Sequence, residues 1–147
     1  MAYGLNAGLD ISKTMGSTNI IRFRVVRLTS GNVIIHTTGP STAGVANTTR
    51  RAYGVVQDGP RTFPSTQGKF ELPVRVVGWS KVQGSTKAIK AGAVLTHSSG
   101  AVGTTTYLGG CVKASTANTQ DAIGFALTSQ AATATPGLIA AFLVPIR

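Results

Sequence analysis

The side chains best suited to acid–base chemistry at neutral pH are two histidines, His36 and His97. Imidazole titrates near neutrality, so either histidine is a candidate general base for a serine nucleophile. The sequence contains no G-x-S-x-G motif, the strand-to-helix turn that exposes such a serine. Both histidines lie beside predicted turns, and we therefore interpret them as surface residues.

The single cysteine, Cys111, follows two glycines within a strand pattern. A thiolate nucleophile needs a neighbouring base, and a zinc site needs several ligands at regular spacing. No cysteine–histidine pair in this sequence has that spacing. We predict that Cys111 is a small buried apolar residue, and we expect neither a metal nor another cofactor. One cysteine also cannot form an internal disulfide, so stability must come from packing or oligomerisation.

Carboxylates are scarce, with four in the whole chain: Asp10, Asp58, Glu71 and Asp121. Four acids still permit a catalytic pair, but each has a structural role nearby, in a turn, in a strand or in the N-terminal segment. The phosphate-binding motifs G-x-G-x-x-G and G-x-x-x-x-G-K-[ST] are both missing from the sequence. We therefore expect a protein that is not an enzyme.

The charge balance points to a binding role. Lys and Arg number 14 against four acids, for a net charge of +10, although charged residues are only 12% of the chain. A typical soluble domain has about a quarter charged residues. An excess of positive charge suits a polyanionic partner, either nucleic acid or an acidic protein shell.

Five arginines form the sharpest basic clusters. Strand periodicity predicts that Arg22 and Arg24 share an exposed face and that Arg27 has the opposite parity. Arg50 and Arg51 form a second cluster, which lies close to Tyr53 in the sequence. Arginines beside an aromatic ring that can stack on bases are a candidate platform for nucleic acid. The clustered arginines are Arg22, Arg24, Arg27, Arg50 and Arg51.

The elements that would position these residues are short strands. Residues Ile20–Leu28 alternate between apolar and polar side chains, and a Ser30–Asn32 turn connects them to Val33–His36, which predicts a hairpin. In Phe70–Trp79 we expect Leu72 and Val74 to point inward, and Pro73 predicts a position at a sheet edge. The other predicted strands are Tyr53–Gln57, Ala88–Leu95, Thr106–Lys113, Ala122–Leu127 and Leu138–Ile146.

These strands and their turns predict an all-β fold, a small β-sandwich or barrel of short antiparallel strands. We expect an extended N-terminal arm over residues 1–19 and a single β domain over residues 20–147.

Trp79 ends the most regular strand, and we expect it in the core, with an interface anchor as the alternative. The sequence shows no signal sequence and no apolar run of membrane-spanning length, and it is typical of a soluble protein made in a reducing cytoplasm.

From about Arg51 to Pro145 the chain resembles the capsid decoration proteins, or capsid cement proteins, of tailed phages. Ala93 stands where that family often has Asp, and the N-terminal region precedes the match. The segments that carry the resemblance are AYGVVQ (Ala52–Gln57), ELPVRVVG (Glu71–Gly78), AIKAGAVL (Ala88–Leu95), AIGFAL (Ala122–Leu127) and GLIAAFL (Gly137–Leu143).

The resemblance implies a β-rich homotrimer that binds the major capsid protein on the outer surface of the phage head, with no small-molecule substrate and no membrane partner. A nucleic-acid-binding β-domain and a head-fibre or tail base subunit remain the alternatives. The candidate contacts with the shell or between trimer copies are Leu5, Leu9, Ile11, Lys13, Arg22, Arg24, Arg27, Arg50, Arg51 and Trp79.

Overall fold

Nine strands account for most of the chain that the computed structural model describes, namely residues 8–15, 21–35, 52–58, 71–98, 109–115, 121–135 and 137–144. All pairings between these strands are antiparallel, which confirms the predicted all-β class. The strands are β1 (Gly8–Thr14), β2 (Val25–Thr29), β3 (Asn32–Ile35), β4 (Gly54–Val56), β5 (Glu71–Gln83), β6 (Val94–His97), β7 (Cys111–Lys113), β8 (Ala122–Ala126) and β9 (Leu138–Leu143).

One long strand, β5, organises the sheet, whose order is β3-β2-β4-β5-β9-β8-β6-β7 with β1 also paired to β5. Arg75 is paired with both Asp10 of β1 and Val55 of β4. Farther along, Gly78 is paired with both β1 and β9. Because a strand has two edges, β1 occupies one edge of β5, and β4 and β9 follow one another along the other edge.

Pro73 lies at a local edge of the sheet, as expected, because a strand is paired with it on one side only. Pro73 is paired with Ser12 of β1 on one side, and its carbonyl accepts a hydrogen bond from the Gln57 amide on the other side. The proline is tolerated there because β4 has already ended at Val56, so no ladder donor is needed from its nitrogen.

The sheet curls until its ends meet other strands. The amide of Val25, at the start of β2, donates to the Gly109 carbonyl just before β7, and Gly84 after β5 forms a bridge with Cys111 in β7. At the opposite end of the sheet, Met15 bridges Val33 of β3. The result is a curled antiparallel sheet, shaped like part of a barrel.

Curling buries both faces of the central strands. Val25 and Val55 belong to the larger core, whereas Val26 and Val56, their immediate neighbours, belong to a second core on the opposite face. Successive side chains of a strand point to opposite faces, so β2 and β4 separate the two cores. The second core consists of Val26, Val33, Val56, Leu72 and Val74, which includes the predicted inward residues of β5.

Tight turns shorten two of the predicted strands. β2 begins at Val25 and not at Ile20, because Arg22 and Phe23 form a turn and Phe23 has a left-handed φ of 64°. The Ala88–Leu95 segment is interrupted at Ala91–Gly92, where Gly92 has a φ of 81°, and β6 starts only at Val94. In both places a tight turn interrupts an apolar pattern that by itself predicts a continuous strand.

The predicted β2–β3 hairpin is confirmed. Ser30 and Gly31 join the strands with positive φ angles of 49° and 81°. Two consecutive left-handed residues match the twist of antiparallel strands, as in a type I′ turn. Within the predicted N-terminal arm, Gly8–Thr14 is β1 and pairs with β5 along its whole length.

Candidate interaction surface

Four side chains of adjacent strands form a continuous apolar row on the outer face of the sheet. Trp79 of β5 is the cross-strand partner of Phe142 of β9, which is paired with Phe125 of β8, which in turn is paired with Val94 of β6. The rings of Trp79 and Phe142 meet edge to face, with centroids 6.1 Å apart, and those of Phe125 and Phe142 are stacked at 5.6 Å. We call these four residues the aromatic row.

The aromatic row is largely open to solvent. Trp79 is 52% exposed, Val94 41% and Phe125 40%, while Phe142 is half-buried between its neighbours. Trp79 therefore does not belong to the core, contrary to the expectation from its strand pattern. Gly78 and Ser80 on either side of it face inward, so strand alternation directs Trp79 outward.

The outer face of β9 continues this apolar surface. Ile139, Ala141 and Leu143 are buried in the larger core. The alternate side chains are also apolar, from the 47% exposed Leu138 to Phe142 and Val144. A strand that is apolar on both faces is typical of a sheet covered on both sides. Within the described residues, one side of β9 is uncovered.

Arg75 connects β1 to the strand that carries Trp79. Its Nε and Nη2 donate to the two carboxylate oxygens of Asp10 at 2.6 and 2.8 Å, and its Nη1 donates to the Trp79 carbonyl at 2.6 Å. The bonds to Asp10 raise the pKa of Arg75 above its usual value, although partial burial acts in the opposite direction. A second link, from Ser12 Oγ to the Glu71 carboxylate at 2.9 Å, lies near the other end of β1.

The predicted arginine face is wrong. Arg24 is buried at 5% exposure, whereas Arg22 is exposed and lies over the Phe23 ring at 5.4 Å. The two differ because they lie in and beside the turn before β2, where strand alternation does not apply. Arg27 is half-buried on β2. Arg50 and Arg51 lie outside the described residues.

The N-terminal candidates that the structure describes all lie on β1. Leu9 is 55% exposed, and its cross-strand partner is Val77, two residues before Trp79. Ile11 and Lys13 are half-buried, and the Lys13 ammonium lies 5.5 Å from the centre of the Tyr53 ring. The ring considered for base stacking thus contacts a lysine of its own chain. Leu5 lies outside the described residues.

Two of the residues considered for catalysis, His97 and Cys111, lie in the interior. His97 is fully buried opposite Cys111 in the β6–β7 pair, so its predicted surface position is wrong. Cys111 is buried as predicted, and desolvation raises the pKa of its thiol to about 12, which keeps it protonated and unreactive. His36 lies outside the described residues. Among those described, no three His, Cys, Asp or Glu side chains form a group that could hold a metal ion.

Sequence reasoning selected Trp79 but missed the other three members of the aromatic row. The available signal was β9, where apolar residues occupy both parities from Leu138 to Leu143. That pattern alone is typical of a strand buried on both sides, whereas in the folded sheet it combines a core face with an uncovered face.

The fold and its surface define an all-β protein with an exposed aromatic row on a curled antiparallel sheet. No family model matches the chain, and no curated protein or solved structure matches it. The described part of the chain contains no helix long and apolar enough to cross a membrane.

Proposed function

We propose that this chain is a structural virion protein, a capsid decoration protein that binds the outside of an assembled phage head as a trimer and stabilises the shell. The observation that carries the proposal is the aromatic row, an exposed apolar surface on a hydrogen-bonded sheet. Contiguous exposed apolar patches are typical of surfaces that bind other proteins. Side chains held on a sheet also lose little conformational freedom on binding, which favours affinity.

The positions of the family-like segments support the same proposal. The segments Ala52–Gln57, Glu71–Gly78, Ala122–Leu127 and Gly137–Leu143 contain or overlap β4, β5, β8 and β9. Three of these strands provide Trp79, Phe125 and Phe142. The segments that resemble the decoration proteins therefore build the sheet on which the aromatic row lies.

Simple thermodynamics explains how such a protein would act. Three copies joined in a trimer turn the second and third contacts with a shell into intramolecular events, which raises the effective concentration of each site. A ligand that binds only the assembled shell stabilises it by mass action against disassembly. No catalytic group is required for this activity.

Direct binding to heads tests the proposal. Purified protein is mixed with expanded heads of the corresponding phage that lack their decoration protein, and bound and free protein are separated by sedimentation. We expect saturable binding in a fixed ratio to the capsid subunits and greater resistance of the heads to heat or chelators. A folded protein that does not bind these heads would contradict the proposal.

The nucleic-acid alternative is less favoured because Arg22 and Arg24 do not share an exposed face. Arg24 is buried and Tyr53 contacts Lys13. If nucleic acid were the partner, affinity for duplex or single-stranded DNA would fall steeply with salt, with a slope that counts phosphate contacts. Filter binding at several salt concentrations distinguishes this alternative from shell binding.

The head-fibre or tail base alternative makes a different prediction. A label specific for this protein should then mark the fibres or the tail base of virions and not the surface of the head.

A further inference from the structure

One exposed lysine lies beside the aromatic row. Lys81 lies two residues after Trp79 on the same face of β5, is exposed, and is paired with Ala140 of β9.

One acid lies close to the aromatic row but is neutralised. Asp10 is bound by Arg75, whose guanidinium also donates to the Trp79 carbonyl. Glu71 lies at the start of β5, Asp58 follows β4, and Asp121, just before β8, is only 1% exposed. Strands β6 to β9 themselves contain no acidic residue. With Asp10 neutralised by Arg75, Lys81 leaves a net positive charge beside the row.

We infer that the aromatic row docks on a different protein, at an apolar depression rimmed by carboxylates. This inference rests on the proposed function, in which that protein is the subunit of the head shell, and it specifies the face used and the chemistry it meets. Each copy of the chain carries a net charge of +10, so two copies repel one another at long range. An acidic rim removes that repulsion and complements Lys81.

The arrangement has the anatomy of a protein–protein interface. Binding energy is concentrated in a few central residues, most often Trp, Tyr and Arg, surrounded by a polar rim. Trp79 and Phe125 are the exposed ring anchors, and Phe142 between them holds both rings in place. Lys81 belongs to the rim, where a charge acts mainly on association rate and salt dependence.

A double variant of the anchors tests the assignment. Threonine suits an exposed strand position, so W79T/F125T removes both rings with little expected effect on the sheet. The control is I21T/L28T, because Ile21 and Leu28 are 38% and 39% exposed but lie outside the aromatic row. We expect W79T/F125T to bind undecorated heads about 30-fold or more weakly than the wild type, while the control stays within about threefold.

A second pair of variants keeps the test informative if the double variant folds poorly. Lys81→Glu reverses an exposed charge, and Lys81→Arg retains it. We expect Lys81→Glu to slow association with heads at least tenfold at low salt and to weaken the salt dependence of the rate, while Lys81→Arg behaves like the wild type. Equal rates for the two variants would overturn the inference.

The outcomes separate this inference from the proposed function. If wild-type protein does not bind heads, both fail. If wild-type protein binds and folded W79T/F125T binds equally well, the row is not the docking face and only the inference fails. If W79T/F125T dissociates a wild-type oligomer into monomers in analytical ultracentrifugation, the row is covered by a second copy, and the inference is again overturned.

Discussion

Arg75 of β5 holds Asp10 of β1 in a two-point ion pair, with Nε–Oδ1 and Nη2–Oδ2 distances of 2.6 and 2.8 Å. The same guanidinium donates its Nη1 to the Trp79 carbonyl. The pair lies where the β1–β5 register shifts, between Leu9 and Asp10. One side chain therefore secures β1 at an irregular point of the ladder and constrains the backbone of the largest exposed aromatic residue.

Removing this pair should loosen β1. Asp10→Asn keeps the size of the side chain but removes the charge, and the pair is partly exposed, with side-chain exposures of 14% for Arg75 and 34% for Asp10. We expect a loss of about 1 kcal/mol in the free energy of unfolding, since solvent screens a pair of this kind. Urea denaturation measures the loss, and amide hydrogen exchange should speed up in β1 before the rest of the sheet.

Ser12→Ala is the matched control for Asp10→Asn, because it removes an exposed β1–β5 side-chain bond that involves no arginine. We expect it to cost less than half as much. Equal effects of the two substitutions would show that Arg75 gives β1 no special attachment.

Gly124 should not tolerate a side chain. It has a φ of 153°, and a Cβ at this position would meet the carbonyl oxygen of Phe142 on the neighbouring strand β9. Both the conformation and the close backbone approach oppose a substitution. We expect Gly124→Ala to lower the free energy of unfolding by about 3 kcal/mol or more.

Gly137→Ala provides the comparison for Gly124, because a Cβ at Gly137 meets no atom within 4 Å. Its stability should stay within about 0.5 kcal/mol of the wild type in thermal or urea unfolding. A Gly124→Ala protein as stable as Gly137→Ala would contradict the close packing of β8 on β9.

The buried thiol predicts a specific dependence of stability on pH. Burial raises the pKa of Cys111 to about 12, whereas a cysteine in the unfolded chain titrates near pH ~8.5. Because the pKa of Cys111 is higher in the folded protein than in the unfolded chain, the protonated thiol makes its full contribution to the free energy of unfolding below pH ~8.5. That contribution is lost as the pH rises towards 12. In that window the wild type should lose about 1.4 kcal/mol per pH unit relative to Cys111→Ala.

The difference between the two unfolding free energies, measured by urea denaturation at several alkaline pH values, isolates Cys111 from the lysines and tyrosines that titrate in the same range. Parallel pH curves for wild type and Cys111→Ala would show that the thiol is accessible to ionisation in the folded protein. A thiol reagent should likewise react with Cys111 only on unfolding.

Trp79 is the only tryptophan, so its fluorescence reports on the aromatic row alone. At 52% exposure it should be quenched readily by acrylamide in the free protein. If the row docks on a shell subunit, quenching should fall severalfold when saturating undecorated heads are added. Unchanged quenching on bound protein would place the contact elsewhere on the molecule.

The local features of the fold followed from the sequence because they depend on neighbouring residues. Alternation in the Leu72–Val74 region established which side chains of β5 enter a core, and Ser30-Gly31 marked a hairpin turn that needs positive φ angles. The burial of Cys111 was predicted for the same reason, from a small apolar residue in a strand pattern.

Other features depended on contacts between strands far apart in the chain. Strand alternation predicts that Trp79 and Ser80 point to opposite faces of the sheet. It does not predict which face is covered by other strands, and in the curled sheet the face of Trp79 is exposed. His97 is buried because its face of β6, shared with Leu95 and with its cross-strand partner Cys111, packs in the larger core. Pro73 has a strand on its β1 side only, because β4 ends at Val56 before reaching it.

Composition and short-range periodicity are sufficient to predict an all-β chain, poor in charge yet cationic, with most of its strands and several of its turns. Only the tertiary structure decided that Trp79, Phe142, Phe125 and Val94 form one exposed row and that Arg24 is buried. Strand order brings Trp79 of β5 and Phe142 of β9 side by side, although they are 63 positions apart in the chain. Short-range patterns carry no information about that order.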